Sequence, residues 1–242
     1  MNIKKHRKEM ADNGFNYLPK FFNKNKNFKR LSNDINNFIF DITKKNNINL
    51  IDKSIIDIFK KNKNISAYIN DNLNLLPSLH ALFADKNLLN FVSKFLNIKK
   101  IDLISNNPRL RVQIPGMDQI ANLPWHQDSH YNKIKSNKSV VVWISLKDIT
   151  LDMGPVVMKK KSHKLGETKI KFFKKPNGVQ VPSVDMNKLG NKFQNVIQPT
   201  KKGDALLFDM NLVHRSGYNK STNKIKLSAQ IRFHQRKKFI KN

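Results

Sequence analysis

His126 and Asp128 stand two residues apart in Pro124-Trp125-His126-Gln127-Asp128-Ser129-His130. A second stretch, Leu212-Val213-His214-Arg215-Ser216-Gly217, offers another imidazole far along the chain. On a β-strand, residues i and i+2 project from the same face, so His126 and Asp128 could hold one ion from one side. His214, on a later strand, could be the third ligand. Two imidazoles and one carboxylate leave coordination positions open, a set that suits Fe(II) taking up further ligands. The plain alternative is that His126 caps a loop and Asp128 a turn, because H-x-D is a short pattern. Three features favour a metal. Pro124 and Trp125 make an apolar approach to the first stretch, His214 follows the apolar run Asp204–Phe208 and a short turn, and a strand bearing basic residues follows it.

The rest of the chain must bring these side chains together. Residues 1–32 read as a short helix stopping near Gly14, then an extended piece around Tyr17-Leu18. Residues 33–100 are mostly helical. Ser32 or Asn33 caps a stripe of Ile35, Phe38, Ile39 and Ile42, a second stripe is Ile51, Ile55, Ile56 and Phe59, and a third follows Asp85. Asn62–Asn64 breaks the helices. From residue 101 the period becomes two. Leu110 and Val112 alternate with Arg109, Arg111 and Gln113; Ser139–Leu146 is a β-branched run; Gly154–Met158 begins another strand; Leu227–Phe233 is the last. Residues 196–199 and 204–208 flank a turn at Lys202-Gly203. Many short strands with turn punctuation predict a β-sandwich or barrel. Residues 159–195, rich in Lys and Gly, are expected to form a long insertion, a candidate lid.

The net charge is +29, and the absence of Cys excludes disulfides, thiolate metal sites and Cys nucleophiles. Such a charge suggests nucleic acid, anionic membranes or acidic substrates. With 46 basic residues and seven Arg, 39 are Lys, scattered through every segment. The reading favoured is a solvated surface shaped by codon bias toward Lys, Asn and Ile, with nucleic acid an unlikely partner. The charged N-terminus reads as no signal peptide and no run of 18 apolar residues occurs, so a cytoplasmic protein without a membrane span is expected.

Taken in order, the motifs resemble the phytanoyl-CoA dioxygenase family of Fe(II)/2-oxoglutarate oxygenases. Gly14-Phe15 with Leu18-Pro19 resembles its entry motif, and Trp125-His126-Gln127-Asp128 its W-H-Q-D. Trp143 to Leu146 and Met153-Gly154-Pro155 resemble W-x-x-L and N-G-P, and Ser162-His163 with Gly166 resembles G-S-H-x-x-G. Gly203-Asp204 and His214-Arg215-Ser216-Gly217 with Asn219 resemble G-D and H-x-S-G-x-N. The likeness spans about residues 10–235. It implies a mainly β protein with α: a double-stranded β-helix (jelly-roll, cupin-like) core over residues 101–236, a helical part over 1–100 packed against it, and a basic tail over 237–242, all in one domain.

The resemblance also implies a site. His126, Asp128 and His214 match the iron ligands. Asp128 favours hydroxylation over halogenation, because related halogenases lack this carboxylate. 2-Oxoglutarate needs a cation for its distal carboxylate. The family places an Arg there, whereas the best-aligned position here is Lys226, after a one-residue insertion, in Lys226-Leu227-Ser228. Lys is a point charge and Arg a planar fork, so the change matters. Arg232 is the rival, because residues 226, 228, 230 and 232 share one strand face. Gln127, Trp143 and Ser216 match positions lining the co-substrate pocket, Ser228 lies on the Lys226 face, and Arg111 and Gln113 could reach co-substrate or substrate. The function implied is hydroxylation of a small, possibly anionic metabolite using O2, with release of succinate and CO2. The alternative is a jelly-roll metal- or polyanion-binding module without turnover. The substrate and the oligomeric state have no readable signal.

Overall fold

The computed structural model describes residues 2–45, 47–116, 122–132, 134 and 136–236; the expected basic tail lies outside the described residues. A five-stranded antiparallel sheet organises the molecule. Its strands are β1 (Phe15–Leu18), β2 (Leu103–Gln113), β3 (Ser139–Ser145), β8 (Ala205–Phe208) and β10 (Lys226–Gln235), in the order β1-β8-β3-β10-β2. A second sheet holds β4 (Val157–Lys159), β7 (Asn195–Ile197) and β9 (His214–Arg215) in the order β7-β4-β9. A hairpin of β5 (Ile170–Lys174) and β6 (Gln180–Val184) stands apart. The short strands predict a sandwich or barrel, and the two sheets form the antiparallel jelly roll that the family resemblance implies.

Side-chain alternation decides what each face of the large sheet does. On β10, Leu227, Ala229, Ile231 and Phe233 join Leu110 and Val112 of β2, Val140, Val142 and Ile144 of β3 and Leu207 of β8 in a core shared with the helices. The opposite face of β3 and β8 supplies Val141, Trp143, Leu206 and Phe208 to a second core inside the roll. Period-two alternation thus gives the sheet a dry outer face for the helices and an inner face that carries the polar residues of β2 and β10. Truncating a core residue such as Leu207 to Ala would cost about 2–5 kcal/mol.

The helices are α1 (Ile3–Asn13), α2 (Lys26–Thr43), α3 (Ile48–Lys61), α4 (Ile65–Asn74), α5 (Pro77–Phe83), α6 (Lys86–Leu96) and a short α7 (Met186–Leu189). The third expected stripe is α6, started by Asp85, whose carboxylate accepts from the Asn87 and Leu88 amides. The first begins earlier than its apolar spacing suggests. Asn25, not Ser32 or Asn33, caps α2 by accepting from the Phe28 amide, and Phe28 and Leu31 join the buried stripe. Asn70 and Asn74 of α4 then bond the backbone of Val112 and Leu110, tying the helical layer to β2.

Residues 159–195, read as a long insertion, hold the β5–β6 hairpin and α7. One further expectation changes. His126 and Asp128 do not share a strand. His126 makes an isolated bridge to His214, and Asp128 opens a 3-10 turn that runs to Tyr131.

Candidate metal centre

The backbone first brings the two histidines together. The His126 amide donates to the His214 carbonyl at 2.9 Å, and the His214 amide returns the bond at 3.0 Å. β9 is also paired with β4, Met158 opposite His214. The stretch around His126 therefore adds to the edge of the small sheet. Asp128 reaches the same point through its turn, which is pinned by the Ser129 amide donating to the Met210 carbonyl. One ligand atom from each of His126, Asp128 and His214 lies within 4.8 Å of the others, and all three residues are buried.

Both imidazoles are oriented by their neighbours. His126 Nδ1 is 2.7 Å from the Pro124 carbonyl, and His214 Nδ1 is 2.9 Å from the Leu212 carbonyl. A carbonyl can only accept, so each Nδ1 carries the proton and each Nε2 keeps its lone pair for a ligand. The ring centroids are 4.2 Å apart. Burial pushes both imidazoles down, His126 well below its ordinary value with the neighbouring His214 adding to the effect. They are neutral near pH 7, the form that binds metal. Burial alone would raise the Asp128 carboxyl, but the Arg232 guanidinium, helped by His214 and His126, overcomes it and holds the carboxyl well below the usual range. Asp128 Oδ1 accepts from Arg232 Nη2 at 2.5 Å, whereas Oδ2 is buried with no hydrogen-bond partner among the described residues. Two imidazoles that keep a lone pair and a carboxylate with one unbonded oxygen thus stand side by side. A buried acceptor in that state costs free energy unless something satisfies it, and a divalent cation fits this donor set.

A cavity of about 30 Å³ adjoins the cluster. Arg111, Gln113, Trp143, Ser216, Lys226 and Ser228 line it beside His126 and His214. Six of the eight residues expected to contact a co-substrate are therefore gathered there. Lys226 is buried, and its ammonium donates to the carbonyls of Gly154, at 2.5 Å, and Gly217, at 3.4 Å. Two loops must nearly touch to present that carbonyl pair. A Cβ on Gly154 would lie 2.3 Å from the Tyr218 carbonyl oxygen, and one on Gly217 2.3 Å from that of Pro155. Only glycine permits the approach.

The other two expected residues sit elsewhere. Arg232 does not line the cavity, because its guanidinium is engaged with Asp128. Gln127 is also absent from the lining. Its amide nitrogen donates to the carbonyls of Gly166 and Asn211, and its amide oxygen accepts from the Thr168 amide and hydroxyl. All four hydrogen-bonding positions of the amide are used. Gln127 is a staple between the metal turn and the base of the hairpin. Sequence reasoning missed two neighbours. Gln230 lines the cavity from β10, and Tyr131 sets its ring edge against His126, centroids 5.5 Å apart. The sequence places Gln230 on the Lys226 strand face but not at the cavity; Tyr131 ends the 3-10 turn, which leaves no such signal.

The sequence pattern of the phytanoyl-CoA dioxygenase (PhyH) family matches residues 11–226, most of the chain. The chain belongs to that family. Solved structures share the fold of this PhyH protein at low identity. The non-heme alpha ketoglutarate dependent epimerase SnoN of nogalamycin biosynthesis has a TM-score of 0.63 at 12% identity, over 96% of this chain and 82% of its own. EctD from S. alaskensis, solved with bound Fe, has a TM-score of 0.62 at 17% identity, over 97% and 77%. EvdO2 from Micromonospora carbonacea var. aurantiaca, complexed with 2-oxoglutarate, has a TM-score of 0.59 at 14% identity, over 96% and 90%. No curated protein matches at the level of sequence. Among the described residues no helix of this PhyH protein is long and apolar enough to cross a membrane.

Proposed function

We propose that this protein is an Fe(II)/2-oxoglutarate-dependent dioxygenase that hydroxylates a small organic substrate. One observation carries the reading: His126 and His214, each with Nδ1 tied to a carbonyl, and Asp128, with one oxygen left without a hydrogen bond among the described residues, each bring a ligand atom within 4.8 Å of the others in a buried site. Family membership and the iron and 2-oxoglutarate seen in neighbours of the same fold support it. His126, Asp128 and His214 would hold the iron. Iron with 2-oxoglutarate supplies, when bound, O2-dependent oxidation of a C–H bond with release of succinate and CO2.

The chain's own residues do the positioning. Pro124 and Leu212 carbonyls fix the imidazole tautomers, and Arg232 fixes Asp128 while leaving Oδ2 for the metal. Lys226 is the anchor for the distal carboxylate of 2-oxoglutarate, with Ser228 beside it. A buried ammonium gives a carboxylate a charge-assisted hydrogen bond that water cannot screen. The cavity is close to one water molecule's share of liquid volume, so the co-substrate enters only as the side chains lining it move apart. Trp143 and Phe208 keep the inner wall apolar and exclude water from the reacting centre.

The test is chemical. Protein given Fe(II), 2-oxoglutarate and O2 should release succinate, and the His214→Ala variant should not. Wild-type protein that binds iron yet consumes no 2-oxoglutarate under any substrate screen would reduce the molecule to a metal-binding jelly roll without turnover.

A further inference from the structure

A larger pocket of about 660 Å³ lies beside the metal cluster, within the range that holds small organic molecules. Trp125 and Arg215, the chain neighbours of ligands His126 and His214, line it, and Leu123, Arg215 and Ser216 line both spaces. Phe173 reaches it from β5. The guanidinium carbon of Arg215 is 5.1 Å from the ring centroids of both Trp125 and Tyr218, and its Nη1 donates to the Ser216 carbonyl at 3.0 Å. Two aromatic rings thus hold a planar cation at the boundary of the two spaces. Contact with the rings strips water from the guanidinium faces and leaves recognition to its N–H edge.

Arg215 lines both spaces, Arg111 and Lys226 line the smaller one, and among the described residues no Asp or Glu lines either. Asp128 answers Arg232, and on the reading above 2-oxoglutarate answers Lys226. A pocket whose described lining carries Arg215 and no acid, with Arg111 and Lys226 in the adjoining space, is complementary to an anion, and its apolar walls favour a carbon skeleton.

We propose that this pocket is the substrate site and takes a small organic anion, a carboxylate or a phosphate ester, whose oxyanion meets Arg215 while its apolar body lies against Trp125 and Phe173. The proposal rests on the dioxygenase reading for what happens to the molecule, but not for its binding. The probes are phenylacetate, phenyl phosphate and the neutral 2-phenylethanol. Each is titrated against metal-free protein and against the anaerobic Fe(II)/2-oxoglutarate form, read by tryptophan fluorescence and ligand-observed NMR. The anions should bind at least about tenfold more tightly than the alcohol, the size of one charged hydrogen bond. Arg215→Gln should abolish that preference and leave the alcohol unchanged. Tyr218→Ala, at an exposed position, should reduce the preference by loosening Arg215, and serves as the test if Arg215→Gln does not fold. Equal binding of alcohol and anions, or an anion preference that survives both substitutions, overturns the proposal. The two acids separate the sources: a preference for phenyl phosphate marks phosphate esters and one for phenylacetate marks carboxylates. If the dioxygenase reading alone fails, no succinate forms while the anion preference in metal-free protein persists.

Discussion

Lys226 and Arg232 lie six residues apart on β10, and both point into the roll, yet they meet opposite surroundings. Lys226 is received by two backbone carbonyls where Gly154 and Gly217 let their loops touch. Arg232 is received by the carboxylate of Asp128. Between them the pairing of β10 with β2 shifts register, Gln230 facing Arg109 and Arg232 facing Asn106, a bulge on β2 near Pro108, which has no amide hydrogen to donate. The comparison shows that a shared strand face does not confer a shared role. Carbonyl dipoles hold the Lys226 ammonium without neutralising it, whereas Arg232 is matched by a carboxylate and holds that carboxylate in place.

The largest expected effect that would break this contrast is Arg232→Ala. It leaves Asp128 buried without its partner, a loss of about 3–5 kcal/mol, visible in denaturant melts. Because iron would satisfy the same carboxylate, added Fe(II) should recover part of the deficit, and iron affinity itself should fall by about tenfold to a hundredfold. An equal deficit with and without Fe(II) would remove Asp128 from the metal. Next comes Lys226→Ala, expected to weaken 2-oxoglutarate by about tenfold to a hundredfold, the size of one or two charged hydrogen bonds, while iron affinity by calorimetry stays unchanged. Lys226→Arg should retain more of the binding than Lys226→Ala. Gly217→Ala forces apart the loops that hold Lys226; about 1–3 kcal/mol of stability should be lost, together with part of the 2-oxoglutarate affinity.

The smallest effect concerns His234, one strand repeat beyond Arg232. It is buried among Asn106, Asn132 and Ser139. Burial first, and then the Arg232 charge, push its imidazole down to about 4. Between that value and 6.5 the unfolded chain binds the proton and the native one does not, so stability is complete above pH 6.5 and declines as pH falls toward 4. His234→Asn should flatten that part of the curve of melting temperature against pH. An unchanged slope would place the acid sensitivity elsewhere.

Where the sequence was readable, a single physical rule reached from residue to position. Alternation on β2 put Arg111 and Gln113 on a polar face, the family resemblance pointed to Trp143 and Lys226, and alternation on β10 set Ser228 beside Lys226; all five line the cavity. Asp85 marked the start of α6 because a carboxylate before an apolar stripe can cap it. The triad was legible as residue types but not as geometry. Asp128 joins His126 through a 3-10 turn, and a turn leaves no period in the sequence. The partners of Gln127 and Arg232 depended on residues 39 and 104 positions away, Gly166 and Asp128. No local pattern reports such pairings. The glycines at 154 and 217 were visible as motif residues, but that they touch each other was not.

One measurement bears on the central claim most directly. Fe(II) and then 2-oxoglutarate are added anaerobically to wild-type protein, Lys226→Ala and Arg232→Ala, and the visible charge-transfer band of the iron–2-oxoglutarate chelate is followed. The account predicts a band in wild type that needs far more 2-oxoglutarate in Lys226→Ala, and in Arg232→Ala needs more iron but no more 2-oxoglutarate. Iron bound by wild type with no band at saturating 2-oxoglutarate, or a band indifferent to Lys226, would contradict it.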